Sequence, residues 1–259
     1  MFLTGCGTEE QEARRLADAL ASSGAISLLP TELKPYAGPS AQASPTVRVL
    51  REEASGPVIV VFPGPAEEVA NPNFGLSGAL DRAMEGTPCS AALFGFNADE
   101  AAYRWVKERA RMHDRGFVGM PVILAGYGYG GEAAGTLAWR LLEDPDGPVI
   151  HLLLTVDAIK RIPGGLRSLV AYTHAPPVDR RRLLRHTNYF QNQSSLAHGA
   201  WMRGATENHD LTRLWPRVLS HATIDNYAAS LAAADIRSAL HATVRVGGTI
   251  KTAAGETGL

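Results

Sequence analysis

The chain has 259 residues, of which 45% are hydrophobic and 20% charged, and its formal net charge is −1. This composition is typical of a globular protein with one α/β domain or two small ones. The balanced charge gives no indication of a nucleic-acid partner, and no apolar run reaches the roughly 18 residues that a membrane-spanning helix needs.

The first 45 residues are predicted to form an N-terminal helix and a linker. A capping-box spacing predicts a helix over residues 9–21, and Pro, Gly and Ser dominate residues 30–45. Residues 3–6, Leu-Thr-Gly-Cys, resemble the lipobox of bacterial lipoproteins, although a secretion signal needs a longer start than precedes them. The compartment stays open: the cytoplasm is favoured, and the bacterial cell envelope applies if Cys6 is the lipidated cysteine of a longer precursor.

Short apolar runs alternate with helical patterns in the first half of the remaining chain. Such alternation predicts a doubly wound, mostly parallel sheet with helices on both faces. The predicted strands cover residues 46–50, 57–62, 91–96, 122–125 and 149–156, and the predicted helices cover residues 76–84, 99–115 and 132–142.

The pattern weakens after residue 157. One more strand is predicted over residues 166–172, mostly loop over 174–220, and a helix over 224–240. Trp201 and Trp215 fall in the irregular part and could belong to a lid or cover the sheet.

The predicted domain organisation has three parts. Residues 1–45 form the N-terminal helix and linker, residues 46–245 form one α/β domain, and residues 246–259 form a flexible tail of small and polar residues.

The most informative segment is residues 122–131, Val-Ile-Leu-Ala-Gly-Tyr-Gly-Tyr-Gly-Gly, in which a predicted strand enters a glycine-dense turn before a predicted helix. Gly126, Gly128 and Gly131 fit the dinucleotide fingerprint Gly-x-Gly-x-x-Gly. The same turn fits the nucleophile elbow Gly-x-Ser-x-Gly with one departure, because Gly128 stands at the position of the nucleophilic serine.

The dinucleotide interpretation predicts an NAD(P)- or flavin-dependent oxidoreductase. Asp157 closes the next predicted strand, where an acidic residue could bind a ribose. However, the fingerprint belongs on the first strand of its unit, and here two strand–helix pairs precede it. This interpretation is therefore kept as an alternative.

Three separated segments resemble the α/β-hydrolase superfamily, in its lipase, esterase and thioesterase branches. Residues 156–159, Val-Asp-Ala-Ile, resemble the strand end that carries the catalytic acid. Residues 188–191, Asn-Tyr-Phe-Gln, and residues 219–225, Leu-Ser-His-Ala-Thr-Ile-Asp, resemble the closing part of one branch, whose histidine lies just before an Ile-Asp pair. The resemblance implies an α/β-hydrolase fold.

The resemblance also implies the roles of individual residues. Gly128 takes the nucleophile position, Asp157 the acid and His221 the base, in the chain order of the family. The backbone N–H of Tyr129 is one expected oxyanion-hole donor, and the second is that of Gly64 or of Ala66, since Pro65 has no N–H.

The remaining candidates are less constrained. Tyr127 could contact substrate or pack beside the turn, and His209 and His198 are the nearest rivals of His221 as the base. The substrate implied by the resemblance is a small-molecule or acyl ester or thioester, with no cofactor and no metal. The oligomeric state is not predicted.

Without the serine, the family's acyl transfer to water should be absent or nearly so. Gly128 fits either an engineered inactive variant or a natural pseudoenzyme, and a non-catalytic binding or scaffold protein on the same fold is the main alternative function.

Overall fold

The structure is a computed structural model that describes residues 47–53, 56–64, 75–113, 120–160, 171–176, 178–179, 181–193, 198–214 and 219–253, with side chains to residue 243. The predicted N-terminal helix and linker, Cys6 and Trp215 lie outside these residues, as does most of the predicted strand over 166–172.

The described residues form seven strands and four α-helices. The strands are β1 (Val47–Arg51), β2 (Val58–Phe62), β3 (Ser90–Phe94), β4 (Pro121–Tyr127), β5 (Val149–Val156), β6 (His186–Phe190) and β7 (Glu207–Asp210). The helices are α1 (Gly75–Met84), α2 (Asp99–Met112), α3 (Tyr129–Glu143) and α4 (Ile224–Ala253), and a 3₁₀ turn covers Leu211–Arg213.

The strands form one sheet in the order β1-β3-β2-β4-β5-β6-β7. β1 pairs antiparallel with β3, and the other neighbouring strands are parallel. The doubly wound, mostly parallel sheet predicted from the sequence is therefore confirmed. β2 and β4 are buried along their whole length, as expected for continuous apolar runs at the centre of such a sheet.

Helices cover both faces of the sheet. One core cluster joins α1 and α4 to one face, and a second joins α2 and α3 to the other. Cys89 lies fully buried in the first cluster, and burial raises the pKa of its thiol. This packing leaves the carboxyl ends of β4, β5, β6 and β7 side by side along one edge, where sites in parallel sheets occur.

Two features of the C-terminal half were not predicted. β6 and β7 lie inside residues 174–220, which were predicted to be mostly loop, because neither strand has the apolar run that marked the others. α4 also continues to Ala253, so the predicted flexible tail over 246–259 begins within a helix.

Candidate active site

β4 runs into α3 through a single residue, Gly128. Its φ of 58° and ψ of −123° are values that side chains rarely permit. Three hydrogen bonds hold this conformation: the Gly128 N–H donates to the Val156 carbonyl, and the Gly128 carbonyl accepts from the N–H groups of Gly131 and Ile159. The turn is therefore a sharp strand-to-helix elbow that is anchored to the end of β5.

The flanking glycines are explained by close packing within the elbow. A Cβ on Gly126 would overlap the backbone of Gly130, and a Cβ on Gly130 would overlap the backbone of Phe62. A Cβ on Gly131 would overlap the side chain of Ala158. The glycine spacing that matches a dinucleotide fingerprint is thus required by the turn itself, without a phosphate ligand.

Asp157 follows β5 directly, next to the elbow in the sheet, and its side chain is fully buried. Its φ of 46° is a left-handed value that aspartate tolerates better than most residues. Oδ1 accepts from the backbone N–H groups of Gln191 and Gly199, and Oδ2 accepts from the Gln191 side-chain amide at 3.1 Å. Buried carboxylate oxygens require such donors, and here both are supplied with them.

His221 completes the cluster from the turn before α4. Its Nδ1 lies 2.7 Å from Asp157 Oδ2, and its Nε2 lies 3.1 Å from the position that a Cβ on Gly128 would take. Ser220 and Thr223 are joined by hydrogen bonds across this turn. The turn places the imidazole between the buried carboxylate and the elbow, with its side chain 21% exposed.

The proton on His221 can be assigned from its partner. Asp157 accepts hydrogen bonds on both oxygens, so the hydrogen shared with His221 is donated by Nδ1. In the neutral imidazole Nε2 then carries the lone pair, and it faces the side-chain position of residue 128. Asp157 and His221 thus have the geometry that the acid and base of a catalytic triad require, and Gly128 has no side chain at the facing position.

Tyr127 joins three parts of the site. Its hydroxyl donates to the carbonyl oxygen of His221, its ring lies 5.2 Å from the His221 ring, and it packs where a Cβ on Gly64 would be. At 5% exposure the side chain is packed between these segments, so the packing gives no support to the expected substrate contact.

Two of the expected oxyanion-hole donors lie at the same edge of the sheet, and Ala66 lies outside the described residues. Tyr129 begins α3, and the first N–H groups of a helix point beyond its N-terminal end. Gly64 follows β2 and lies beside the Tyr127 ring. Their role as donors stays a prediction.

The rival histidines have other partners. His209 lies on β7, pairs with Glu207 at 3.1 Å and stacks on the Tyr189 ring at 5.1 Å. His198 Nδ1 contacts the carbonyl oxygen of Gly199 at 2.7 Å. The structure brings His221, and neither of these two, within 4 Å of the side-chain position of Gly128.

The roles of the residues that support Asp157 were not predicted from the sequence. Gln191 falls in a segment that carried the family resemblance, but its two hydrogen bonds to the carboxylate depend on how β6 ends. Gly199 contributes a backbone N–H, which no side-chain pattern can indicate.

The described residues hold no cluster of His, Cys, Asp and Glu suited to a metal ion. None of the helices in the described part is both long and apolar enough to cross a bilayer.

Comparison with solved structures finds several esterases. A Pyrobaculum calidifontis esterase is 12% identical, with a TM-score of 0.42 over 75% of this chain and 80% of that chain. A thermostable Pseudomonas putida esterase is 13% identical, with a TM-score of 0.40 over 89% and 90%. A bacterial heroin esterase is 11% identical, with a TM-score of 0.43 over 90% and 92%. Neither a scan of protein-family models nor a search of curated proteins finds a match.

The fold is assigned from the molecule's own features. A mostly parallel sheet carries a sharp strand-to-helix elbow at its centre, an acid after the next strand and a histidine later in the chain. The chain order of elbow, acid and histidine is that of the α/β-hydrolases. By its strand order and its elbow, this chain has the α/β-hydrolase fold.

Proposed function

We propose that this protein is a serine-hydrolase homologue whose site is built for acyl transfer from an ester or thioester to water. The observation that carries the proposal is the position of His221 Nε2, 3.1 Å from the side-chain position of residue 128, with Nδ1 on buried Asp157. A serine hydroxyl at position 128 would lie within reach of the base. With Gly128 in its place, the chain as it stands is inactive or nearly so.

The test restores the missing hydroxyl. Gly128→Ser is expected to raise kcat/KM on p-nitrophenyl butyrate by roughly a thousandfold or more, the order of magnitude that a triad member contributes. His221 must move by a few tenths of an ångström to accept the new Cβ, and its partly exposed side chain permits this.

Two variants control the test. Gly128→Ala adds the Cβ without a hydroxyl and should stay inactive. His221→Gln in the Gly128→Ser background should remove the gain, because the hydroxyl then lacks its base. If a folded Gly128→Ser protein hydrolyses neither short and medium acyl esters nor thioesters, the proposed chemistry is wrong.

A non-catalytic binding protein on the same fold is the second candidate, and Gly128 itself favours it. The inactive Gly128→Ser outcome would select this candidate. The dinucleotide alternative has less support, because Asp157 is buried and already bonded to His221, Gln191 and Gly199, which leaves it unsuited to a ribose hydroxyl.

A further inference from the structure

A cleft of about 400 Å³ lies at the carboxyl ends of β6 and β7. Its apolar wall consists of Phe190, Trp201, Leu211 and Leu214, and the rest of its lining is polar or charged: Asn208, His209, Asp210 and Arg213. Trp201 is 60% exposed and Leu214 is 61% exposed, so two large apolar side chains face solvent across one opening. The volume falls within the range of small-molecule sites. Single exposed apolar residues are common on protein surfaces, but here two of them line the same cleft.

The exposed tryptophan is held firmly by its backbone neighbours. The Asn188 side chain donates to the carbonyl oxygen of Ala200 at 2.9 Å. The Asn208 side chain accepts from the N–H of Met202 at 2.8 Å and donates to its carbonyl oxygen at 3.2 Å. The amide of Asn188 also donates to Asn208. The residues on both sides of Trp201 are thus fixed while its ring stays open to solvent, which is the arrangement of a prepared binding surface.

The same segment is joined to the proposed catalytic acid. Gly199, two residues before Trp201, donates its N–H to Asp157. Gln191, the residue after Phe190, donates to the same carboxylate. Trp201 and Phe190, on the two sides of the apolar wall, are therefore each close in the chain to a residue that is hydrogen-bonded to Asp157.

The spacing of the strands sets the distance between cleft and elbow. β6 and β7 are the second and third strands beyond β4 in the sheet order, and neighbouring strands lie about 4.8 Å apart. The cleft is therefore roughly 10–14 Å from the elbow. An extended alkyl chain advances roughly 1.3 Å per carbon–carbon bond of about 1.5 Å, so about eight to eleven carbons are needed to span this distance.

We propose that the cleft of Phe190, Trp201, Leu211 and Leu214 binds the distal end of a long alkyl group of the substrate. This inference rests on the proposed function and specifies it: the preferred ester or thioester carries an apolar chain of about eight carbons or more. A short acyl or alcohol group stays near the elbow when the carbonyl is positioned for attack, so it does not reach the cleft.

The test measures binding in the full chain, without catalysis. Calorimetry is run with octan-1-ol and butan-1-ol, which are neutral probes that differ in chain length alone. We expect octan-1-ol to bind at least about tenfold more tightly than butan-1-ol, because the longer chain buries more apolar surface. Trp201→Ala and Leu214→Ala should each weaken octan-1-ol binding by about tenfold, as expected for a large apolar anchor.

Trp139→Ala is the matched control. Trp139 is 42% exposed on α3 and does not line the cleft, so its loss should leave octan-1-ol binding unchanged. The proposal is overturned if the two alcohols bind equally, or if Trp201→Ala and Leu214→Ala bind octan-1-ol as Trp139→Ala does. It is also overturned if Trp201→Ala leaves alcohol binding intact and instead converts a dimer to a monomer in sedimentation, because the cleft is then an interface between copies.

The two proposals can fail separately. An inactive Gly128→Ser protein would refute the hydrolase chemistry and would not alter the binding result. If Gly128→Ser is active, its kcat/KM for p-nitrophenyl decanoate relative to p-nitrophenyl butyrate should fall about tenfold on adding Trp201→Ala. An unchanged ratio would refute the cleft as the chain site while leaving the activity established.

Discussion

The conformation of Gly128 can be tested through stability alone. Gly128→Ala places a Cβ on a residue with φ of 58° and ψ of −123°, outside the regions that alanine prefers. Such strained backbone positions cost about 1–3 kcal/mol each. The Cβ would also lie 3.1 Å from His221 Nε2, closer than ordinary van der Waals contact, so the imidazole must shift. Both effects lower the free energy of unfolding.

Gly86→Ala separates the two effects. Gly86 has φ of 71°, and a Cβ there would meet nothing within 4 Å. Its substitution therefore measures the cost of a left-handed backbone alone, about 1–2 kcal/mol. Gly128→Ala should cost at least as much, and its excess combines the contact with His221 and the additional strain of its ψ of −123°. Repeating Gly128→Ala in a His221→Ala background should reduce that excess, as a double-mutant cycle measures.

The assay is urea unfolding of the parent and the variants. At a typical m-value of roughly 2 kcal/mol/M, the expected loss moves the midpoint down by about 0.5–1.5 M. Gly128→Ser should shift the midpoint in the same direction as Gly128→Ala, since both add a Cβ. A Gly128→Ala protein that unfolds at the parent's midpoint would refute the elbow conformation, and with it the fold assignment.

Three further predictions concern the surroundings of the site. Tyr127→Phe removes the hydroxyl that donates to the His221 carbonyl; we expect a loss of about 1 kcal/mol in urea unfolding and, in Gly128→Ser, a lower kcat with little change in KM. Burial lowers the pKa of His186 to about 4, so between pH 6.5 and 4 the unfolded chain binds a proton that the folded chain does not. Stability should therefore fall by roughly 3 kcal/mol as the pH drops through this window, and His186→Gln should flatten the fall in urea midpoints measured against pH. NAD, NADP and FAD should show no micromolar binding by calorimetry, and such binding would restore the dinucleotide interpretation of the glycine turn.

Much of the sheet could be predicted because its central strands are apolar on both faces. β2 and β4 are continuous apolar runs, and such runs predict strands that are buried on both faces. β6, His-Thr-Asn-Tyr-Phe, and β7, Glu-Asn-His-Asp, carry no such run. These strands form because they pair in parallel with their neighbours.

Several polar side chains of β6 bond to partners far apart in the sequence, whereas His186 Nδ1 and Thr187 Oγ1 are buried without a hydrogen-bond partner among the described residues. Thr155 donates to Asn188 and contacts His186 Nε2 at 3.2 Å, and Asn188 donates to Asn208. Buried side chains of this kind favour hydrogen-bond partners, and here the partners come from the two neighbouring strands, β5 and β7. Local sequence patterns cannot indicate such pairing, so the segment was predicted to be loop.

The candidate site shows the same division. The positions of Gly128, Asp157 and His221 follow from the chain order of a known family and from strand ends, which are local features. The residues that donate hydrogen bonds to the Asp157 carboxylate cannot be predicted in this way. Gln191 and Gly199 reach Asp157 only when the segment after β6 is folded. Tyr127 was expected at the site from its place in the turn, but its bond to the His221 backbone depends on the approach of α4.

The geometry of the dyad does not depend on a nucleophile. Asp157 is fixed by Gln191 and Gly199, and His221 is fixed on one side by Asp157 and on the other by the hydroxyl of Tyr127. None of these contacts involves a side chain at residue 128. Glycine at the elbow can therefore relieve the strained backbone without releasing the imidazole. Under the proposed function, a complete triad would require only a Cβ and an Oγ at residue 128, together with a displacement of His221 by a few tenths of an ångström.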